Sequence, residues 1–310
     1  MFTWRRRVSI ENLKKDIKKF WGAYLIAVPI LLWYFIFNYI PMYGALIAFQ
    51  RFNPAAGIWG STWVGFSNFT QFFNSFYFWR LIGNTLALNI LGLIFVFPAP
   101  IIFALLLNEL RKQFFKRTVQ TITYVPHFIS MIVVCGMILD FVGRDGIIST
   151  FVSVITGNPA GNLLLDPGNF RPVMIISDIW QQIGWSSIIY LAAIATVDQE
   201  LYEAAEIDGA NRLRKVLSVT IPGIMPTLMI LLILRLGAIM NVGFEKVLLL
   251  QNPAIFETAD VISTFVYRAG ILQGNFSYAS AIGLFNSVIN FIMVVAANQV
   301  VKKLTGQSLW

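Results

Sequence analysis

Asp178 and Arg235 each sit well inside a long apolar run of this 310-residue chain. A charge within a bilayer is expensive, so such residues turn toward the interior of a bundle and mark functional paths. Two roles are open for them. They can neutralise each other as a structural ion pair, or Arg235 can face a path and favour an anionic ligand, with Asp178 as its resting partner. Asp178 lies about six residues into its run from the outer end and Arg235 about thirteen into the next from the inner end. At about 1.5 Å per residue that gives them a shared depth in a core of roughly 30 Å, where they could meet. Beside Asp178 stand Trp180, Gln181, Gln182, Trp185, Ser186 and Tyr190, and Asn241 follows Arg235. Sugars present apolar ring faces and hydroxyl edges, so aromatic rings beside amides and hydroxyls suit them. Helix packing and interfacial belts use the same residue types. Material for catalysis is thin, with one histidine, His127, and one cysteine, Cys135. A single cysteine allows neither an intrachain disulfide nor a thiolate metal cage. His127, in YVPHFIS just after Pro126, is expected to satisfy a backbone group freed by the proline rather than to bind a metal.

The elements that must hold these residues are membrane helices. The chain is 57% hydrophobic and 12% charged, with a mean hydropathy of +0.70, whereas soluble domains carry about a quarter charged residues. Six apolar runs, near 22–49, 81–107, 118–142, 172–197, 222–244 and 277–301, are each long enough to cross a bilayer, and lipid leaves the backbone no partner outside a helix. The fold class is therefore all-α, an integral membrane protein of six spans. Of the 23 Lys and Arg residues, sixteen fall on the side of the N-terminus. The other side holds Arg51, Arg80, Arg144, Arg171, Lys246 and Arg268. That excess puts both termini in the cytoplasm and accounts for the net charge of +8 without nucleic acid. Residues 1–21 include ENLKKDIKKFW, with Leu13, Ile17, Phe20 and Trp21 on one face, as a helix lying on an anionic leaflet has; a solvated tail is the alternative. The apolar run behind them is long and no small-residue cleavage site follows, so the segment is expected to stay attached. Residues 22–301 form the membrane domain and 302–310 a cytoplasmic tail. The outer loops, 50–80, 143–171 and 245–276, are rich in Gly, Asn, Pro, Ser and aromatic residues and read as recognition surfaces.

One inner loop, 198–222, is compact and charged, and the sequence DQELYEAAEIDGANRLRKVLSVTIPGIMP surrounds it. Asp198 can cap a helix carrying Glu200 and Glu203 near its positive end. Gly209 can end that helix in the left-handed conformation, and Asn211 can cap a second short helix bearing Arg212, Arg214 and Lys215 before Pro222 opens the next span. Leu201, Ala204 and Ala205 share a side small enough for another protein to approach closely. An ordinary basic turn would have many of the same features.

The stretch EAAEIDGANRLRKVLSVTIPGIMP resembles the EAA motif of permease subunits in binding-protein-dependent ABC importers. The matching positions are Glu203, Ala204, Ala205, Asp208, Gly209, Ala210, Val216, Val219, Ile221 and Pro222, with Val216 where Phe is common and Ile221 where Leu is. FNYIPMYGALIAFQRFNP, WVGFSNF, NTLALNI, IWQQIGWSSIIYLAAIATVD and GLFNSVIN resemble the maltose-type carbohydrate group, especially the LplB-like oligosaccharide and polysaccharide permeases. The resemblance covers about residues 22 to 300. It implies the type I importer permease fold in the bacterial cytoplasmic membrane, a second permease subunit, two ATP-binding subunits that bind ATP and Mg, and an extracytoplasmic solute-binding protein. It also implies that the 198–222 loop seats in a cleft of the ATPase, and it lands the sugar-contact region on 178–186 and 235–242, where the anion that Arg235 can favour would be an anionic sugar such as a uronate. The absence of any GxxxxGK[ST] phosphate loop agrees, because energy then has to arrive through a partner and this chain needs no cofactor of its own. A secondary transporter driven by ions is the first rival, calling for broken helices in matched halves and membrane carboxylates. An intramembrane enzyme is the second, and His127 and Cys135 leave it little material.

Overall fold

The computed structural model describes residues 18–157, 161–306 and 308. Most of the 1–21 segment and part of the 302–310 tail lie outside the described residues. Four of the six apolar runs form helices both long and apolar enough to cross a membrane, Trp21–Phe49, Phe78–Asn108, Arg212–Gly237 and Phe276–Lys303. The run at 118–142 does not cross as one rod. It is divided between Gln113–Phe128 and Met131–Thr156, bent by 100°. Pro126 is the cause, since it removes a backbone donor. Val125–Phe128 tightens into a 3-10 turn, after which Ile129 and Ser130 are extended, with ψ of 135° and 147°.

The run at 172–197 is one helix, Pro167–Ala195, of 29 residues. It starts five residues earlier than its apolar stretch because the Asp166 side chain accepts from the Gly168 N–H at 2.9 Å, with Pro167 in the first turn. The helix of the fifth apolar run is displaced from the expected 222–244. Pro222 does not begin it. The helix runs unbroken from Arg212, and a π-turn at Val216–Thr220 widens the ladder just before the proline. At its far end the helix stops at Gly237, residues 238–243 unwind, and Phe244–Leu250 begins a new short helix. Arg235, expected at mid-span, therefore stands in the last helical turn, where the helix dipole favours a cation.

Pro167–Ala195 is the hub, touching Pro98–Asn108, Gln113–Tyr124 and Ile221–Gly237. Its Gly184 makes one crossing possible, since a Cβ there would lie 2.2 Å from the Thr123 carbonyl oxygen. Small residues permit such approaches where lipid supplies no hydrophobic drive between helices. One buried cluster joins Val134, Cys135 and Ile138 to Phe170, Met174, Val247 and Leu250. Another joins Phe72 and Leu81 to Phe265, Tyr278 and Ile282, and a third joins Ala104, Tyr190 and Ile194 to Ile224 and Leu228. Trp21–Phe49, by contrast, buries only Ala48 against the rest of the chain. A two-stranded antiparallel hairpin, Gln50–Arg51 with Thr62–Trp63, stands in the 50–80 loop.

Candidate functional site

The polar residues of the Pro167–Ala195 helix open onto two cavities that share Arg235. The smaller, of about 260 Å³, is walled by Asp178, Gln181, Gln182, Asn241 and Lys246 together with Asn89, Gly92 and Arg235. The larger, of about 590 Å³, is walled by Phe97, Trp185, Ser186, Tyr190, Leu231 and Arg235. Each of the eight residues expected on a substrate path lines one or both. Trp180, from the same sequence group, lines neither.

Asp178 and Arg235 share the smaller cavity, yet the ion pair of Asp178 is not with Arg235. The Lys246 ammonium donates to Asp178 Oδ1 at 2.5 Å. Lys246 had been counted as an outer-loop charge, but the unwinding at 238–243 folds Phe244–Leu250 back against the bundle, where Lys246 is 2% exposed. A run counted along the sequence as a straight rod cannot reveal that return. Among the described residues the Arg235 side chain has no hydrogen-bonding or ionic partner. Its Nη2 lies over Gly92, where a Cβ would come within 2.7 Å, at the start of a π-turn, Gly92–Val96. With Asp178 balanced by Lys246, the cavity walls carry one positive charge in excess, at Arg235.

His127 also departs from expectation. Its Nδ1 bonds Gln182 Oε1 at 3.0 Å rather than a backbone group, and its ring stacks flat on Trp185, with centroids 4.5 Å apart and planes 4° off parallel. The bend at Pro126 aims the imidazole across at the Pro167–Ala195 helix. His127 thereby fixes one amide and one ring of the two cavity walls. Asn241 Oδ1 accepts from Asn286 Nδ2 at 2.8 Å and Asn290 Nδ2 at 3.2 Å, which pins the unwound segment to Phe276–Thr305. Non-helical backbone within a membrane protein is tolerated where it lines a cavity or is held by protein. Cys135 is a buried free thiol in the core.

The 198–222 loop follows its local sequence closely. Asp198 accepts from the Glu200 N–H at 3.0 Å and caps Gln199–Ile207. Gly209 has φ +75°, with the Gly209 N–H donating to the Glu206 carbonyl and the Ala210 N–H to the Ala205 carbonyl, a complete Schellman ending. Asn211 caps the next helix by accepting from the Arg214 N–H at 2.9 Å. Glu203, Ala204 and Asp208 are exposed, as are Leu201, Ile207, Leu213 and Leu217, the last four at 53%, 88%, 67% and 58%. Lys215 hydrogen-bonds Glu206 at 2.9 Å and holds its carboxyl below the usual range. Tyr202, which sequence reasoning passed over, has its hydroxyl 2.9 Å from Thr220 Oγ1. Thr220 is buried at the root of the Ile221–Gly237 helix, so this bond fastens the loop helix to the span.

Residues 96–306 match a family described as binding-protein-dependent transport system inner membrane component. Protein LplB of Bacillus subtilis (strain 168) is 46% identical over 288 residues, covering 93% of this chain and 90% of that protein. The polygalacturonan/rhamnogalacturonan transport system permease protein YteP of the same organism is 43% identical over 306 residues, 99% of this chain and 94% of that one. Among solved structures, a bacterial ABC transporter involved in the import of the acidic polysaccharide alginate matches with a TM-score of 0.87 at 41% identity, over 95% of this chain and 99% of the matched one. These findings give the ion-coupled rival no support and agree with an all-α type I permease fold in a multi-pass membrane protein. The chain belongs to the family of binding-protein-dependent transport system inner membrane components, as a permease subunit of an ABC importer of sugars or oligosaccharides.

Proposed function

We propose that this subunit forms part of the path for an acidic oligosaccharide, with Arg235 as the contact for a uronate carboxylate. The observation that carries this is the unpaired guanidinium on the wall shared by two cavities, beside an Asp178 already neutralised by Lys246. A guanidinium without a partner is costly at membrane depth and offers a planar fork to a carboxylate. Gln181, Gln182, Ser186 and Asn241 then meet sugar hydroxyls, and Trp185 and Tyr190 meet ring faces. That two relatives are tied by name to polygalacturonan/rhamnogalacturonan and to alginate supports an acidic substrate.

In this reading the chain crosses a bacterial inner membrane six times. The bent pair and Pro167–Ala195 are the third and fourth crossings, and both termini face the cytoplasm, a reading supported by the excess of basic residues on that side. A second permease subunit completes the path, a solute-binding protein delivers the sugar from outside, and two ATP-binding subunits supply ATP and Mg. Glu203, Ala204, Ala205, Asp208, Gly209, Ala210 and Pro222 belong to the loop on which the ATPase docks. Its exposed apolar residues face the ATPase, and the Tyr202–Thr220 bond carries movement of the loop into the Ile221–Gly237 helix and so to Arg235 at the far end of that helix. ATP hydrolysis by the reconstituted complex, stimulated by neutral and by acidic oligosaccharides, tests the substrate. Arg235→Ala is expected to raise the concentration of acidic sugar needed for half-stimulation about tenfold, the loss of one charge-assisted contact, and to leave neutral sugars unaffected. Equal losses for both classes, or none, reject Arg235 as the anion contact.

A further inference from the structure

A second cationic cavity lies at the opposite end of the molecule from the 198–222 loop. The Phe78–Asn108 helix has Arg80 near one end, while Asn108 at the other borders the loop; its 31 residues span about 45 Å at 1.5 Å each. Arg80 and Arg268 both converge on Asp260, whose side chain is fully buried. Arg80 Nη2 donates to Oδ2 at 2.9 Å, and Arg268 Nη2 donates to Oδ1 and Oδ2, each at 2.9 Å. Rings steady both guanidiniums. Arg80 stands 5.0 Å from the Tyr77 centroid, and Arg268 stands 4.8 Å and 5.2 Å from those of Phe256 and Phe265. Asn84 anchors the turn beneath by donating to the Glu257 and Asp260 carbonyls, and it accepts from Arg171. Two cations held by one anion leave a positive charge over, and Arg80 Nε is buried with no hydrogen-bond partner.

The space in front of them is a cavity of about 660 Å³, lined by both arginines, by the rings of Phe76, Tyr77 and Tyr278 and by amides including Gln71, Asn74, Gln273 and Asn275. We infer that this cavity is a separate capture subsite for a uronate residue of the incoming chain, sharing no lining residue with the two cavities of Arg235. Asp260 and the rings pre-set the forks, so little ordering is lost when a carboxylate arrives. The exposed edges of both arginines, 28% and 24% accessible, supply the donors. Phe76, 88% exposed, supplies a ring face at the mouth. Concavity with aromatic walls and a few fixed polar groups suits a small ring more than a flat protein epitope. The choice of ligand rests on the acidic-substrate reading above, whereas the geometry does not.

The test is binding of trigalacturonate to the assembled permease and ATPase complex in nanodiscs, without the solute-binding protein. Saturable binding is expected, retained in Arg235→Ala, weakened about tenfold in Arg268→Gln and about fivefold in Phe76→Ala. Neutral galactotriose is expected not to compete. Phe76 is exposed enough that its truncation tests the cavity even if Arg268→Gln disturbs folding. The proposal falls if no saturable binding occurs, if both cavity variants bind as wild type does, if Arg235→Ala alone abolishes binding, or if galactotriose competes equally. It also falls if the cavity variants only weaken docking of the solute-binding protein loaded with neutral sugar, which would mark a socket for a protein carboxylate. Acidic sugar that still stimulates ATP hydrolysis without this binding removes the subsite alone; binding with no acidic stimulation removes the acidic path instead.

Discussion

The 198–222 loop and the central cavity are both polar interruptions in an apolar chain, and they are held in different ways. The loop is built from neighbours in sequence: Asp198 bonds Glu200, Glu206 bonds Lys215, and Asn211 bonds Arg214. The cavity is built from partners far apart, with Asp178 meeting Lys246 and His127 meeting Gln182. Capping needs only a few residues in order, so its physics is local. A buried charge takes whichever opposite charge the packed helices bring to it, and that choice is global.

The largest test of the contrast is Asp178→Ala. It strands the Lys246 ammonium, whose side chain is 3% exposed, and is expected to destabilise the complex by about 3 kcal/mol, because removing one partner of a buried pair leaves the other uncompensated. Thermal unfolding of the detergent-solubilised complex measures it, with Arg235→Ala as the comparison. Arg235 has no partner to strand, so a similar drop in that variant would break the assignment of Lys246 as the partner. Next in size is Gly209→Ala. A side chain at φ +75° costs about 1 kcal/mol or more, confined to the loop. The expected readout is ATP hydrolysis poorly coupled to uptake with nearly unchanged thermal unfolding; a coupling ratio equal to wild type would separate the loop from energy transfer. Smallest is Glu206→Gln. Glu206 stands in the Gln199–Ile207 loop helix, ahead of the Arg212–Gly237 helix, and its exposed carboxylate is screened by water, so no measurable change in stability is expected near neutral pH. Since Lys215 lowers the Glu206 pKa, whatever the pair contributes is present above the ordinary carboxylate range and fades only as pH falls through the lowered value. A loss of coupling between pH 6 and 8 would have to come from other groups.

The amino-acid order by itself determined the membrane class, the charge asymmetry and the architecture of the loop down to Asp198, Gly209 and Asn211, because hydropathy and capping act over one run or a few residues. It also marked Gln181, Gln182, Trp185, Ser186, Tyr190, Arg235 and Asn241, since polar groups in apolar runs stand out wherever they point. It did not determine where spans begin and end when proline intervenes: Pro126 bent one run by 100° and Pro222 was absorbed by a π-turn. Nor could it show that residues 238–243 unwind, and so that Lys246 turns inward to take Asp178 and leaves Arg235 unpaired. Only the tertiary structure decided that, because the pairing depends on which helices pack together and where the chain breaks, and sequence distance encodes neither.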